Sequence, residues 1–237
     1  CQYKSDKLIF YMNTRQEQLL TLVIEKYIET AQPIGSKFLV SNAGLDLSEA
    51  TVRNELRELE EMGFLTHPHT SAGRIPTENG YKYYLDKIAW DKLKINKKEA
   101  ELLESFFVVE DKIQAQKNLS KTLAAITQET VIFAFSPHSI YYTGLSNLFS
   151  KPEFVELGIV GDISAVFDRC EDCIPVFYDL VTEDIKFFIG DQHPFGNMLS
   201  AMSFKFDDSL ITLLSPLRTN YKHNYALLQA VKELLKK

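Results

Sequence analysis

Residues 48 to 76 read SEATVRNELRELEEMGFLTHPHTSAGRIP, a run with a helical period followed by a ribbon whose tip is rich in Ser, Gly and Pro. Val52, Leu56 and Leu59 recur at i, i+4 and i+7, so they share one stripe that faces a core. Ala50, Arg53, Asn54 and Arg57 fall on the other side. Ser48 is placed to cap the helix, because its hydroxyl can accept a backbone N–H of the first turn, and Gly63 can supply the left-handed residue that ends it. A face offering a small residue, two arginines and an asparagine suits a major groove, where Arg can bond guanine and Asn adenine through paired hydrogen bonds. Taken alone, the same residues are better explained as a solvated face on which Glu55, Glu58, Glu60 and Glu61 supply ordinary helix ion pairs.

The neighbouring segments shift that balance. Thr14 can cap a helix to about Ala31, with Leu19, Leu20, Val23, Ile24, Tyr27 and Ile28 as its core stripe. Pro33, Ile34 and Gly35 break the chain, Ser36 caps a short second helix, and a tight turn at Gly44 leads through Leu45 and Leu47 into the helix opened by Ser48. Ser36 and Lys37 sit where a first helix crosses a phosphate backbone, although a cap and a solvated lysine explain them equally well. After the helix, Phe64 and Leu65 begin a strand, and Thr66 to Thr77 is too rich in Pro, Gly and small polar residues for a helix. The expectation is a wing in which Thr70, Ser71 and Arg74 touch phosphate or the minor groove, with Arg74 the first choice, and in which His67 and His69 are equally structural. Thr77 then caps a helix running through Trp90, whose Tyr81, Tyr84, Leu85 and Ile88 pack on the first helix. The order is that of a winged helix-turn-helix.

With 237 residues, 45% of them hydrophobic, the chain can bury a core in each of two small domains. The net charge of −6 is unevenly spread: residues 1–98 carry 14 Lys and Arg against 13 Asp and Glu, and the remainder 12 against 19. Charges more than roughly 8 Å from a phosphate are screened at physiological salt, so a near-neutral domain can still bind DNA through a local patch. Three cysteines make no even framework and fit a reducing cytoplasm, and no apolar run is long enough to span a membrane. The stretch before Met12 reads as a non-native or disordered extension, 1–11. Cys170 and Cys173 form a lone CxxC that would need two distant ligands such as His193 or His223 to hold zinc, and idle thiols are the simpler reading. Asp191, His193 and Ser200 do not make a triad by residue type alone, and no Gly-rich phosphate loop or metal-ligand cluster stands out. No catalytic residue, metal or cofactor is expected, and the chain does not read as an enzyme.

The second half begins with a helical stretch from Lys97 to about Gln128, with Leu102, Leu103, Phe106, Phe107, Ile113, Leu119, Leu123 and Ile126 on its apolar face. Strands are expected at 131–135, 140–143, 174–180, 186–189, 203–207 and 210–214. Pro152 opens a helix between them, and a last helix runs from Asn220 to Leu235. This is an α+β domain with a mainly antiparallel sheet.

RQEQLLTLVIEKYIETAQPIGSKFL and LSEATVRNELRELEEMGFLTHPHTSAGRIPTENGYKYYLD closely resemble the amino-terminal domain of HrcA, the heat-inducible transcription repressor family of bacteria, with PHTSAGRIPT the most specific part. YYTGLSNLFSKPEF and SPLRTNYKHN resemble segments of the same family's carboxy-terminal, GAF-like domain. The resemblance implies a homodimeric, cytoplasmic repressor of heat-shock genes. It would bind an inverted-repeat operator of the CIRCE type in double-stranded DNA ahead of chaperone operons, supported by the chaperonin GroEL. Its implied DNA contacts are Ser48, Glu49, Ala50, Thr51, Arg53, Asn54 and Arg57 in the helix, with His69, Thr70, Ser71 and Arg74 in the wing. Only His138, Ser139 and Ile140 separate TLAAITQETVIFAFSP from YYTGLSNLFSKPEF, where the family carries further strands and an inserted dimerisation subdomain. The expected organisation is therefore a winged-helix domain over 12–93, a helical connector over 94–130 and a reduced GAF-like α+β domain over 131–237. The alternative is a regulator that senses a small molecule through the GAF-like domain.

Overall fold

Asn13, one residue earlier than expected, opens the first helix: its side chain accepts the Gln16 N–H at 2.9 Å while Gln16 Oε1 accepts the Asn13 N–H at 3.1 Å. This reciprocal box satisfies two backbone donors that a helix start leaves free. The computed structural model describes residues 12–42, 46–68, 73–104, 111–155 and 167–236. Contacts divide the chain into two units, Cys1–Lys87 and Ile88–Lys237.

In the first unit, α1 (Thr14–Thr30) buries Leu19, Leu20, Val23 and Ile24 and ends on Ala31 in the left-handed conformation, φ 56°. The short α2 (Ser36–Asn42) begins with Ser36 already helical, so the cap expected of Ser36 falls to Gly35, whose carbonyl accepts the Leu39 N–H at 3.1 Å. Helix α3 (Glu49–Glu61) follows, and the Gly44 turn before it lies outside the described residues. Strands β1 (Leu65–Thr66) and β2 (Ile75–Pro76) pair antiparallel, Leu65 opposite Pro76. Beside them Ile34 and Arg74 exchange backbone hydrogen bonds of 2.9 and 2.8 Å, which tie the start of α2 to the ribbon. A Cβ on Gly73 would stand 2.5 Å from the Ile34 carbonyl carbon, and one on Gly80 would stand 2.3 Å from the Phe64 carbonyl oxygen, so both close approaches require glycine.

Helix α4 (Glu78–Asp86) is capped by Thr77, whose hydroxyl accepts the Gly80 N–H at 3.2 Å and donates to the Gly63 carbonyl at 2.7 Å. Tyr83 donates to Glu17, and Lys87 approaches the same carboxylate at 3.2 Å, which fastens α4 to α1. The Tyr83 hydrogen bond, then that of Lys87, holds the Glu17 carboxyl below its usual range. The helix stops at Asp86 rather than Trp90. Ile88 and Trp90 belong to the second unit, where Trp90 packs on Phe187 and Tyr225 with ring centroids 4.6 and 4.7 Å away.

The stretch expected as a connector is likewise part of the second unit. A 3₁₀ turn (Trp90–Lys92), α5 (Lys97–Glu104) and α6 (Lys112–Thr127) precede the sheet, and Leu103, Leu119 and Leu123 are fully buried. Asp111 caps α6, so 97–128 is not one helix. Leu102 and Ile113, read as core, are 42% and 52% exposed because each lies one position off its helix's buried stripe. Phe106 and Phe107 lie outside the described residues.

Strands β3 (Thr130–Ser136), β4 (Ser139–Thr143), β5 (Lys186–Ile189), β6 (Leu199–Phe206) and β7 (Ser209–Pro216) form one antiparallel sheet in the order β4-β3-β7-β6-β5. This is the expected α+β class. Its central strands are buried on both faces, so β3 reads as a near-continuous apolar run, VIFAF, while the buried Ser200, Ser203, Thr212 and Ser215 of β6 and β7 are hydrogen-bonded. Between β4 and β5 lie α7 (Leu145–Phe149), α8 (Pro152–Val155) and α9 (Cys170–Leu180), and α10 (Tyr221–Leu234), capped by Asn220, closes the chain. The strand expected at 174–180 is instead this helix α9. IPVFYDL has the β-branched and aromatic content of a strand, but Cys170, Ile174 and Phe177 repeat at helical spacing and are fully buried against Ile132, Leu199 and Leu210 of the sheet. The burial raises the Cys170 thiol to about 12.

The two segments that carry the second-domain resemblance converge on Glu129, which is 3% exposed. Thr219 donates to its Oε1 at 2.7 Å, Lys151 Nζ stands 3.2 Å from Oε2, and Asn147 donates to its backbone carbonyl at 3.1 Å. Asn224 holds Thr219 at 2.9 Å, and Arg218 grips Glu153 beside them. Gly144, at φ 81°, is needed because a Cβ there would meet the Glu129 carbonyl oxygen at 2.5 Å. Burial raises the Glu129 pKa against the opposing pull of Lys151 and Thr219.

Two outcomes follow from this packing. Gly73→Ala or Gly80→Ala is expected to destabilise the first unit by about 2 to 4 kcal/mol, since backbone must move, while Gly35→Ala, which meets nothing within 4 Å, changes stability by less than about 1 kcal/mol; chemical denaturation measures both. Because the folded pKa of Glu129 is raised above 4.5, the folded chain holds a proton that the unfolded chain releases. The contribution is present in full below pH 4.5 and is lost as pH rises through the folded value, so Glu129→Gln is expected to flatten that part of a stability–pH curve.

Candidate nucleic-acid interface

Helix α3 is fixed at both ends. Ser48 accepts the Thr51 N–H at 3.1 Å and shares a 2.9 Å hydroxyl contact with Thr51. At the other end the Gly63 N–H reaches the Glu60 carbonyl at 2.9 Å and the Phe64 N–H reaches that of Leu59 at 3.0 Å, with Gly63 at φ 79°. This double bond pattern closes the helix and turns the chain into β1. The inner stripe is Val52, Leu56 and Leu59, each at most 4% exposed, with Glu55 beside it paired to Arg15 at 3.1 Å. Gln16 of α1 donates to Glu58 at 2.7 Å. The helix cannot roll about its axis without breaking these contacts, so the direction of its outer face is determined.

Ala50, Arg53, Asn54 and Arg57 are exposed on that face, as are Ser48 and Glu49, while Thr51 is half-buried at the cap. Both arginines are paired along the helix, Arg53 with Glu49 and Arg57 with Glu61 at 3.6 Å. The solvated-face arrangement is thus what the chain adopts without a partner. Exposed i,i+4 pairs of this kind contribute only about 0.3 to 0.5 kcal/mol, whereas a bidentate Arg–guanine contact discriminates by about 1 to 3 kcal/mol, so the pairs are easily exchanged for bases. Glu49 also accepts the Ser36 hydroxyl at 3.3 Å, which links the starts of α2 and α3, and Lys37 is exposed on the first turn of α2.

At the base of the wing, Glu60 holds two residues of the ribbon. Arg74 Nε stands 2.8 Å from Glu60 Oε2, a contact of charges rather than an aligned hydrogen bond, and His67 Nδ1 meets Oε1. Arg74 is accordingly 23% exposed and tied down through both side chain and backbone. His69, Thr70 and Ser71 lie outside the described residues. The sequence assigned Glu60 only a helix ion pair. Its partner is 14 positions away, and only the hairpin brings the two together.

Asp191, His193 and Ser200 do not assemble as a triad. His193 accepts the Phe195 N–H at Nδ1, 3.2 Å, and donates from Nε2 to the Leu199 carbonyl at 3.0 Å, while burial lowers its pKa. Ser200 bonds Ser215 at 3.0 Å and the Pro216 carbonyl at 3.1 Å. Among the described residues no three His, Cys, Asp or Glu side chains gather as a metal site, and no helix is long and apolar enough to cross a membrane.

Two helices joined in sequence, with the second presenting a polar face and a two-stranded ribbon following it, define a winged helix-turn-helix domain. The family model of the Ribonuclease R winged-helix domain matches residues 23–83. The chain is also similar to proteins named heat-inducible transcription repressor HrcA. That of Chlorobium phaeobacteroides is 33% identical over 168 residues, 67% of this chain and 46% of that one. That of Carboxydothermus hydrogenoformans is 39% identical over 125 residues, 51% and 36% of the two chains. That of Natranaerobius thermophilus is 51% identical over 77 residues, 32% and 22%. By sequence, then, the chain is a relative of the HrcA repressors, and it spans less than half the length of these curated relatives. A solved structure described only as a hypothetical protein shares the fold, with a TM-score of 0.81 and 18% identity, covering 95% of this chain and 98% of that one.

Loss of the cap should show in the first unit alone: Ser48→Ala is expected to cost about 1 kcal/mol of stability, read as a lowered denaturation midpoint, with Ser48→Asp retaining most of it.

Proposed function

We propose that this protein is a transcription repressor of heat-shock genes that binds an inverted-repeat operator of the CIRCE type as a homodimer. The observation that carries the reading is the outer face of α3, Ala50, Arg53, Asn54 and Arg57, held in one direction by the buried stripe and both caps, in a chain related to the HrcA repressors. A two-fold dimer places two such helices in successive major grooves, so each protomer reads one half of the palindrome. Arg53, Asn54 and Arg57 act as base readers, with Ala50 giving room for close approach. Ser36, Lys37, Ser48, Glu49 and Thr51 lie against the backbone at the helix starts, and the wing adds His69, Thr70, Ser71 and Arg74. The domain organisation that serves this is a DNA-reading winged-helix domain followed by a reduced GAF-like domain that pairs protomers. The protein acts in the cytoplasm ahead of chaperone operons, and the chaperonin GroEL maintains its active form.

The test is binding of the full chain to an inverted-repeat duplex and to each half-site, at two salt concentrations, with mass measured in solution. Tight binding of a dimer to the palindrome supports the proposal, and equal, strongly salt-dependent binding to any duplex refutes it. Arg53→Ala or Arg57→Ala is expected to cost about 1 to 3 kcal/mol and relax sequence preference, whereas Arg74→Ala weakens all duplexes about equally.

A further inference from the structure

The second unit carries a groove of about 970 Å³ lined by the 88–95 segment, α5 and α10. We infer that it is a binding site for a small organic cation with a flat apolar body. Depth comes from small side chains: Ala226 and Ala230, one turn apart on α10, with Ala100 of α5 also lining the groove, leave volume that leucines would fill. One wall is aromatic. Trp90 packs against Phe187 and Tyr225, with centroids 4.6 and 4.7 Å away, and both Trp90 and Tyr225 line the groove half-buried. A ring fixed in this way presents its face or edge without losing side-chain freedom when a ligand arrives.

The rim sets the sign of the charge. Asp91, Glu104 and Glu233 stand around the groove against Lys94, three carboxylates to one ammonium, and all four are exposed. An indole face beside carboxylates attracts a poorly hydrated cation through the ring quadrupole and the rim charges together, and it repels an anion of the same shape. Among the described residues that line it, none pairs a nucleophile with a neighbouring base. The 88–95 segment is also where the chain leaves the winged-helix unit, which ends at Lys87. The inference concerns only the second unit and does not depend on the DNA reading.

Trp90 is the only tryptophan in the chain, so its emission reports the groove directly. The experiment titrates the full chain with benzyltrimethylammonium, using phenylacetate and benzyl alcohol as the anionic and neutral counterparts. The expected result is a saturable change in Trp90 emission with the cation, and an affinity at least about tenfold weaker for either counterpart. Glu104→Gln combined with Glu233→Gln, a change of exposed side chains only, is expected to weaken the cation by about three- to tenfold. Ala230→Leu is expected to abolish the response by filling the floor, with circular dichroism confirming the fold. Absence of saturation, phenylacetate binding as tightly as the cation, or an unchanged affinity in the charge-neutralised variant would overturn the assignment.

Discussion

The winged-helix unit depends on one backbone exchange, the pair of hydrogen bonds between Ile34 and Arg74. It joins the turn that opens α2 to the ribbon that follows α3, so that both flanks of the outer α3 face are fixed by the same short ladder. The exchange is possible only because Gly73 lacks a Cβ where Ile34 passes. Gly80 does the same for the Phe64 carbonyl, and Thr77 spans the remaining gap through its cap and its bond to Gly63. The run GRIPT is thus structural before it is functional. Arg74 meets this constraint with its backbone while its side chain stays with Glu60.

The second unit is organised differently, around a buried carboxylate. Glu129 sits at the start of β3, and its partners come from the α7–α8 corner and from the turn into α10. A buried charge is costly unless paired, so removing any one partner leaves the rest uncompensated. YYTGLSNLFSKPEF and SPLRTNYKHN, far apart in the chain, meet in this cluster. The groove lined by α10 draws on neither segment, and Trp90, read from sequence as part of the helix after the wing, forms one of its walls instead.

Much of the proposed interface was legible because it rests on local rules. The period of Val52, Leu56 and Leu59, the cap at Ser48 and the left-handed stop at Gly63 are each written within one helix, and the structure places all of them as read. The differences have separate causes. Asp111 caps a new helix, which leaves Ile113 off the buried stripe of α6, and in α5 the buried position is Leu103, so the adjacent Leu102 is exposed. Composition predicts a strand over 174–180, yet helical spacing against the sheet prevails, since burying Ile174 and Phe177 outweighs a modest helix propensity.

By itself the sequence determined the winged helix, the orientation of the outer face of α3 and the α+β class of the second unit, because period, caps and turn residues act over fewer than about ten positions. Only the tertiary structure decided the rest. Glu60 meets Arg74 and His67, Glu129 gathers Lys151 and Thr219, and Trp90 leaves the first unit for the second. These pairings join residues whose separation along the chain carries no periodic signal, and they become visible only when the packed elements bring the side chains together.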